Sequence, residues 1–141
     1  MNKKYLARKF DHTLLKSDAS LNDIKTICHE ALEYNFRSIC INPIWIEKAS
    51  TFLNQSNIKL CTVVGFPLGA TPLIIKLNEV DYSIDKGANE IDMVMNIGLF
   101  KDKKYTYVAK EISDIVKKCN GLIVKVIIEA GVLNRKELIL A

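Results

Sequence analysis

Short β-branched and aliphatic runs alternate along the chain with longer stretches in which apolar residues recur every three or four positions. The runs Lys9–Leu15, Ser38–Ile41, Lys59–Val64, Glu90–Met95 and Leu122–Ile128 read as strands. Four amphipathic segments lie between them. The first carries Leu21, Ile24, Ile27, Cys28 and Ala31 on one face and opens with Ser20-Leu21-Asn22-Asp23, the pattern of a capping box. The second follows Pro43 through Ile44, Trp45, Ile46 and Phe52. The third opens at Thr71-Pro72, read as an N-cap with proline in the first helical position, and runs through Leu77, Val80 and Ile84 to Gly87. The fourth carries Val108, Ile112, Ile115 and Val116 and stops at Asn120-Gly121.

Five strand–helix repeats of roughly 22 to 33 residues predict an α/β fold with a parallel sheet and right-handed crossovers. No linker interrupts them. The pattern fits a five-stranded doubly wound sheet, or an incomplete (β/α)8 barrel, whose full form takes about 250 residues. Two features favour the barrel. The tail from Asn134 to Ala141 has room only to begin a helix and shows no capping signal, as if the repeat continued. Asp92 and Lys125 also interrupt strands that should be apolar on both faces if helices covered both sides. The expectation is a single truncated TIM-barrel domain over residues 1–141, with strands 6–8 absent.

Composition narrows the function classes. The chain is 49% hydrophobic and 26% charged, which excludes disorder and low-complexity sequence. No apolar run approaches the roughly 18 to 20 residues of a membrane span, and Met1-Asn2-Lys3-Lys4-Tyr5 begins no apolar block, so neither membrane nor signal peptide is expected. A soluble, cytoplasmic protein is the reading. The net charge of +4 comes from 17 scattered lysines and only 3 arginines, which argues against a nucleic-acid footprint. Cys28, Cys40, Cys61 and Cys119 form no CxxC pair, so reduced buried thiols are expected and a zinc site is not.

Asp92 and Lys125 are the first candidates for chemistry. Side chains alternate across a strand, so Ile91, Met93 and Met95 can pack under helices while Asp92 faces the other way, and likewise Lys125 between Val124 and Val126. Neighbouring strands lie about 4.8 Å apart, which puts the two within reach of each other. The pair fits a structural salt bridge or a proton-transfer couple. Asp11 is a lone carboxylate near a strand end, either a turn group or a catalyst, and His12 beside it points to the opposite face. His29, next to Glu30, reads as surface. Cys40 reads as a packed inward thiol. The loop Gly65-Phe66-Pro67-Leu68-Gly69-Ala70-Thr71 permits a tight backbone and an anion near its helix, but matches no phosphate-binding motif.

Taken together, five segments resemble deoxyribose-phosphate aldolase. They are Asp11-His12-Thr13-Leu14-Leu15, Cys40-Ile41-Asn42-Pro43, Cys61 through Thr71, Gly87 through Gly98, and Lys125-Val126-Ile127-Ile128-Glu129, in the family's order. The resemblance implies a class I aldolase on a (β/α)8 barrel that interconverts 2-deoxy-D-ribose 5-phosphate with D-glyceraldehyde 3-phosphate and acetaldehyde through a lysine Schiff base. It implies no cofactor and no metal, no nucleic-acid or membrane partner, and a homo-oligomer or association with the missing C-terminal part. By the same resemblance Asp92 is the proton donor and acceptor, and Lys125 is an active-site lysine that does not form the Schiff base. Asp11 and Cys40 line the substrate site. The family's Schiff-base lysine belongs to the sixth strand, a further lysine to the seventh, and the phosphate-holding loops come later still, all outside these residues. Glu129-Ala130 stands where the family has Glu-Thr. Since an aldolase of this class needs a neutral amine as nucleophile, the 141-residue chain is expected to be inactive alone. The alternative reading is an inactive barrel fragment that acts by self-association or partner binding; a doubly wound binding module lacks the acidic cluster it would need at the first strand.

Overall fold

A computed structural model describes residues 3–141, and side chains from residue 5 onward. Met1 and Asn2, the head of the segment expected to lack a leader, lie outside the described residues. Five parallel strands form one sheet: β1 (Asp11–Leu14), β2 (Ser38–Ile41), β3 (Lys59–Val64), β4 (Glu90–Val94) and β5 (Ile123–Ile127). The helices are α1 (Lys3–Ala7), α2 (Leu21–Tyr34), α3 (Ile46–Phe52), α4 (Leu73–Asp85), α5 (Ile97–Lys101), α6 (Tyr105–Lys118) and α7 (Arg135–Leu140). No described helix is long and apolar enough to cross a membrane.

The strands lie in the order β1-β2-β3-β4-β5. Sequential order decides between the two architectures, because a doubly wound sheet reverses direction at a switch point and this one does not. A second observation agrees. In a flat sheet β1 and β5 would stand about 19 Å apart, four strand spacings. Yet Lys125 on β5 touches Asp11 on β1 at 2.6 Å. The sheet therefore curls on itself as consecutive staves of a barrel.

The two faces differ as the alternation requires. Ile39, Ile41, Leu60, Val64, Ile91 and Met93 form the outer face and are fully or almost fully buried. They pack against Ile24, Ile27 and Ala31 of α2, Ala49 of α3, Val80 of α4 and Ile115 of α6. Register puts Asp92 beside Val63 and Lys125, and Cys40 beside Cys61, on the inner face.

Local signals explain most element ends. Ser20 accepts from the Asp23 amide while Asp23 accepts from the Ser20 amide, so the expected capping box starts α2. Other expectations need correction. The first strand begins at Asp11 rather than Lys9, because the amides of Lys9 and Phe10 close the end of α1 by bonding Leu6 and Ala7. The fourth and fifth strands are each trimmed at their ends, to Glu90–Val94 and Ile123–Ile127, although the Met95 amide still bonds the Ile127 carbonyl. Pro72 is itself the N-cap of α4 instead of Thr71, because it keeps an extended ψ of 146° while its carbonyl accepts the first helical bond, from the Lys76 amide. Val116 is exposed rather than packed. The tail, read as long enough only to begin a helix, begins α7 with a capping box: Asn134 accepts from the Glu137 amide, and Glu137 accepts from the Asn134 amide. The pattern Asn-x-x-Glu was present in the sequence and its meaning was missed.

Candidate active site

On the inner face the Lys125 ammonium sits among three carboxylates. It donates to Asp11 Oδ2 at 2.6 Å, lies 3.1 Å from Asp92 Oδ1 and 3.4 Å from Glu90 Oε2. Each side chain is placed by its strand. Asp92 and Lys125 are register partners on adjacent strands, so they face each other as the alternation predicted. Asp11 reaches the same point from the far edge because the sheet curls, and Ser38 on β2 steadies it by donating to Oδ1 at 2.5 Å. Glu90, buried at the start of β4, accepts from Arg37 at 2.6 Å.

The cluster fixes protonation. Burial alone would lower the Lys125 pKa, but the hydrogen bond to Asp11 and the pull of Asp92 outweigh it and hold the ammonium above its ordinary value. Burial would raise the Asp11 carboxyl, yet the hydrogen bonds from Lys125 and Ser38 bring it below the usual carboxylate range. Lys125 is thus held as a cation, a poor nucleophile. Asp92 is less well satisfied. Its Oδ1 is buried and, although close to the ammonium, accepts no aligned hydrogen bond among the described residues. A buried acceptor left without an aligned partner is uncommon and singles Asp92 out on the inner face.

Cys40 is buried on the inner face, packed with Cys61 and Val63. Its thiol points at Asp92 Oδ2 from 3.9 Å, and Cys61 is its register partner on β3. The Cys40 interaction, followed by burial, pushes the Cys61 thiol well above its ordinary pKa. All four cysteines are free and buried. His12 points away from the cluster, as expected, bonding Glu30 at 2.7 Å and stacking on Phe36. His29 is exposed. A cleft of about 340 Å³, lined by His12, Lys16, Asp18, Thr26 and Glu30, opens beside β1 and α2 and does not include Asp92 or Lys125.

Sequence reasoning missed Glu90, Cys61 and Ser38 as members of this face. Glu90 and Asp92 are two apart on one strand, which was the available signal. It also missed the support beneath the site. Lys76 of α4 and Glu111 of α6 form a fully buried ion pair at 2.8 Å. Lys76 donates to the Val94 carbonyl and Glu111 accepts from the Asn96 amide, so the pair grips the chain just beyond Asp92.

A family model described as "DeoC/LacD family aldolase" matches residues 6–138. A deoxyribose-phosphate aldolase from Clostridium kluyveri is 49% identical over 142 residues, covering 100% of this chain and 65% of that protein. One from Dictyoglomus turgidum is 48% identical, covering all of this chain and 64% of its own length. A solved tetrameric deoxyribose phosphate aldolase from Aeropyrum pernix superposes with a TM-score of 0.88 at 37% identity, over 96% of this chain and 57% of that one. The chain therefore spans a little under two thirds of the curated relatives it matches.

Proposed function

Since the chain belongs to the DeoC/LacD family of aldolases, we propose that it supplies the proton-handling half of a deoxyribose-phosphate aldolase site. The reaction is cleavage of 2-deoxy-D-ribose 5-phosphate to D-glyceraldehyde 3-phosphate and acetaldehyde, within deoxyribonucleotide catabolism in the cytoplasm. The observation that carries the reading is the Lys125 ammonium clasped by Asp11 at 2.6 Å and lying 3.1 Å from Asp92 on the inner face.

In this scheme a neutral amine from outside these 141 residues attacks the sugar aldehyde, and loss of water leaves an iminium. Asp92 takes the proton from the hydroxyl on the carbon that departs. The carbon–carbon bond breaks and its electron pair passes into the iminium, giving an enamine. Asp92 then returns a proton to the enamine carbon, and hydrolysis releases acetaldehyde and the amine. Lys125 stays charged and orients Asp92. Asp11 and Cys40 line the substrate space. Lys125 is a poor stand-in for the amine, because its carboxylate neighbours favour the ammonium.

We also propose that the 141 residues act as one incomplete barrel domain that associates through the edges of β1 and β5. Either a second copy or the segment carrying strands 6–8 would be the partner. Purifying the chain alone, and fused to the part of the C. kluyveri relative that it does not cover, tests the functional reading. Acetaldehyde release from 2-deoxyribose 5-phosphate is expected from the fusion and not from the chain alone. A well-folded fusion without cleavage, while the C. kluyveri enzyme cleaves in the same assay, would refute the assignment.

A further inference from the structure

The inner face holds a second arrangement, which shares Asp92 with the proposed proton relay and adds two cysteines to it. Cys40 on β2, Cys61 on β3 and Asp92 on β4 each offer one ligand atom, and these atoms all lie within 4.8 Å of one another. No CxxC spacing announces the group, because the strands bring it together: Cys40 and Cys61 are register partners, and Cys40 faces Asp92 Oδ2 at 3.9 Å. We propose that Cys40, Cys61 and Asp92 form a binding site for a thiophilic divalent cation such as Zn²⁺ or Cd²⁺.

The geometry is close to what such an ion needs. With metal–sulfur bonds of about 2.3 Å, a tetrahedral zinc ion sets its sulfur ligands about 3.8 Å apart and a sulfur–oxygen pair about 3.6 Å apart. The Cys40–Asp92 separation of 3.9 Å already approaches this. The remaining contraction, at most about 1 Å, is within small rotations of the two cysteine side chains. Three protein ligands leave the fourth place of a tetrahedral shell to a non-protein ligand such as water. Two sulfurs and one oxygen select a borderline or soft ion over Mg²⁺ or Ca²⁺, which take oxygen ligands.

Charge balance also permits it. Asp11, Glu90 and Asp92 face Lys125 and Arg37, a formal excess of one negative charge. Binding replaces two thiol protons, released to solvent, with one divalent ion, so the net charge of the cluster is unchanged. Lys125, 3.7 Å from Cys61 Sγ, keeps Asp11 and Glu90 as counter-ions when the ion arrives. Asp92 divides its oxygens: Oδ2 binds the ion and Oδ1 remains near the ammonium. Occupancy would take Asp92 out of proton relay. That consequence rests on the proposed aldolase reading, whereas the binding itself does not.

The test uses the reduced, chelator-treated 141-residue chain, titrated with Cd²⁺ and followed by the ultraviolet thiolate-to-metal charge-transfer band. A band saturating at one equivalent is expected, with two protons released per ion in weak buffer and displacement by Zn²⁺. Cys40→Ser and Cys61→Ser should each weaken binding at least tenfold, and Asp92→Asn should weaken it while keeping the band. The double variant Cys28→Ser/Cys119→Ser should titrate like the parent. Alkylation mapping on the parent chain, independent of how variants fold, should show Cd²⁺ protecting Cys40 and Cys61 together. Absence of a stoichiometric band, protection of neither cysteine or of only one, or an unchanged band in Cys40→Ser/Cys61→Ser would overturn the proposal.

Discussion

At Lys125 three carboxylates compete for one ammonium, and the distances rank them: Asp11 nearest, then Asp92, then Glu90. Because Asp11 takes the best-aligned bond, Asp92 is held close to the cation without spending its Oδ1 on it. In a completed barrel, Asp92→Asn keeps the shape but loses the basic oxygen, and turnover should fall about 10²- to 10⁴-fold. If the pair served only the fold, the same change would chiefly cost stability, and adding Lys125→Met would bring turnover back with it. The proposal predicts that the double variant recovers stability and stays inactive, which thermal melts and a turnover assay on the same samples separate. The pKa shifts fix the pH limbs. Asp11, lowered in the folded chain, contributes stability above the ordinary carboxylate pKa of about 4 that is lost as pH falls through its lower folded value. Lys125, raised, contributes stability below its ordinary value of about 10.4 that is lost as pH climbs through the higher folded one. Asp11→Asn should therefore flatten the acid limb of a melting-temperature profile and also bring the loss on the alkaline side to lower pH. An unchanged profile would show that Asp11 and Lys125 are not coupled. Asp92 and Lys125 were legible in the sequence because charges in apolar strands are costly and the two-residue alternation assigns their face. Glu90, two residues before Asp92 on the same strand, carried the same alternation signal and was overlooked. Cys61 was not legible, because its place beside Cys40 depends on interstrand register, which no single strand encodes.

Among the elements, α4 departs most from its pattern. Leu73-Ile74-Ile75-Lys76-Leu77 suggests a surface lysine, yet Ile74 and Ile75 are exposed and Lys76 is wholly buried. Gly65 makes this possible: a Cβ there would stand 2.7 Å from Lys76 Cε. The carbonyl of Val94 and the carboxylate of Glu111 then satisfy the ammonium. Replacing one partner leaves the other charge buried, so Lys76→Met or Glu111→Leu alone should cost about 3 to 5 kcal/mol, while the pair of changes should recover most of it. Urea unfolding midpoints check this, and equal costs for the single and double variants would contradict it. The loop between β3 and α4 has a second constraint at Gly69. Its φ is +67°, and an added Cβ would meet the Met95 carbonyl oxygen at 2.0 Å, a backbone atom that cannot step aside. The sequence marked this glycine as a turn residue. The approach of the following strand's end is a tertiary fact it could not carry.

For the molecule as a whole, local signals sufficed for the order of elements and for the barrel over the doubly wound alternative. Curvature was the missing quantity, since it brings β1 to β5 and so completes the cluster around Lys125. The described sheet leaves β1 and β5 each paired on one side only. Unpaired edges seek partners, so sedimentation of the 141-residue chain should show concentration-dependent association that the fused, completed barrel loses. A monodisperse monomer with a sharp melt would contradict the edge argument. The central claim, that these residues handle protons while the amine comes from elsewhere, is tested most directly by reductive trapping. The chain and its fusion are incubated with acetaldehyde and borohydride, digested and mapped. The account predicts one adduct in the fusion, on a lysine of the added segment, and none at Lys125 in either protein. A single stoichiometric adduct at Lys125 would contradict it.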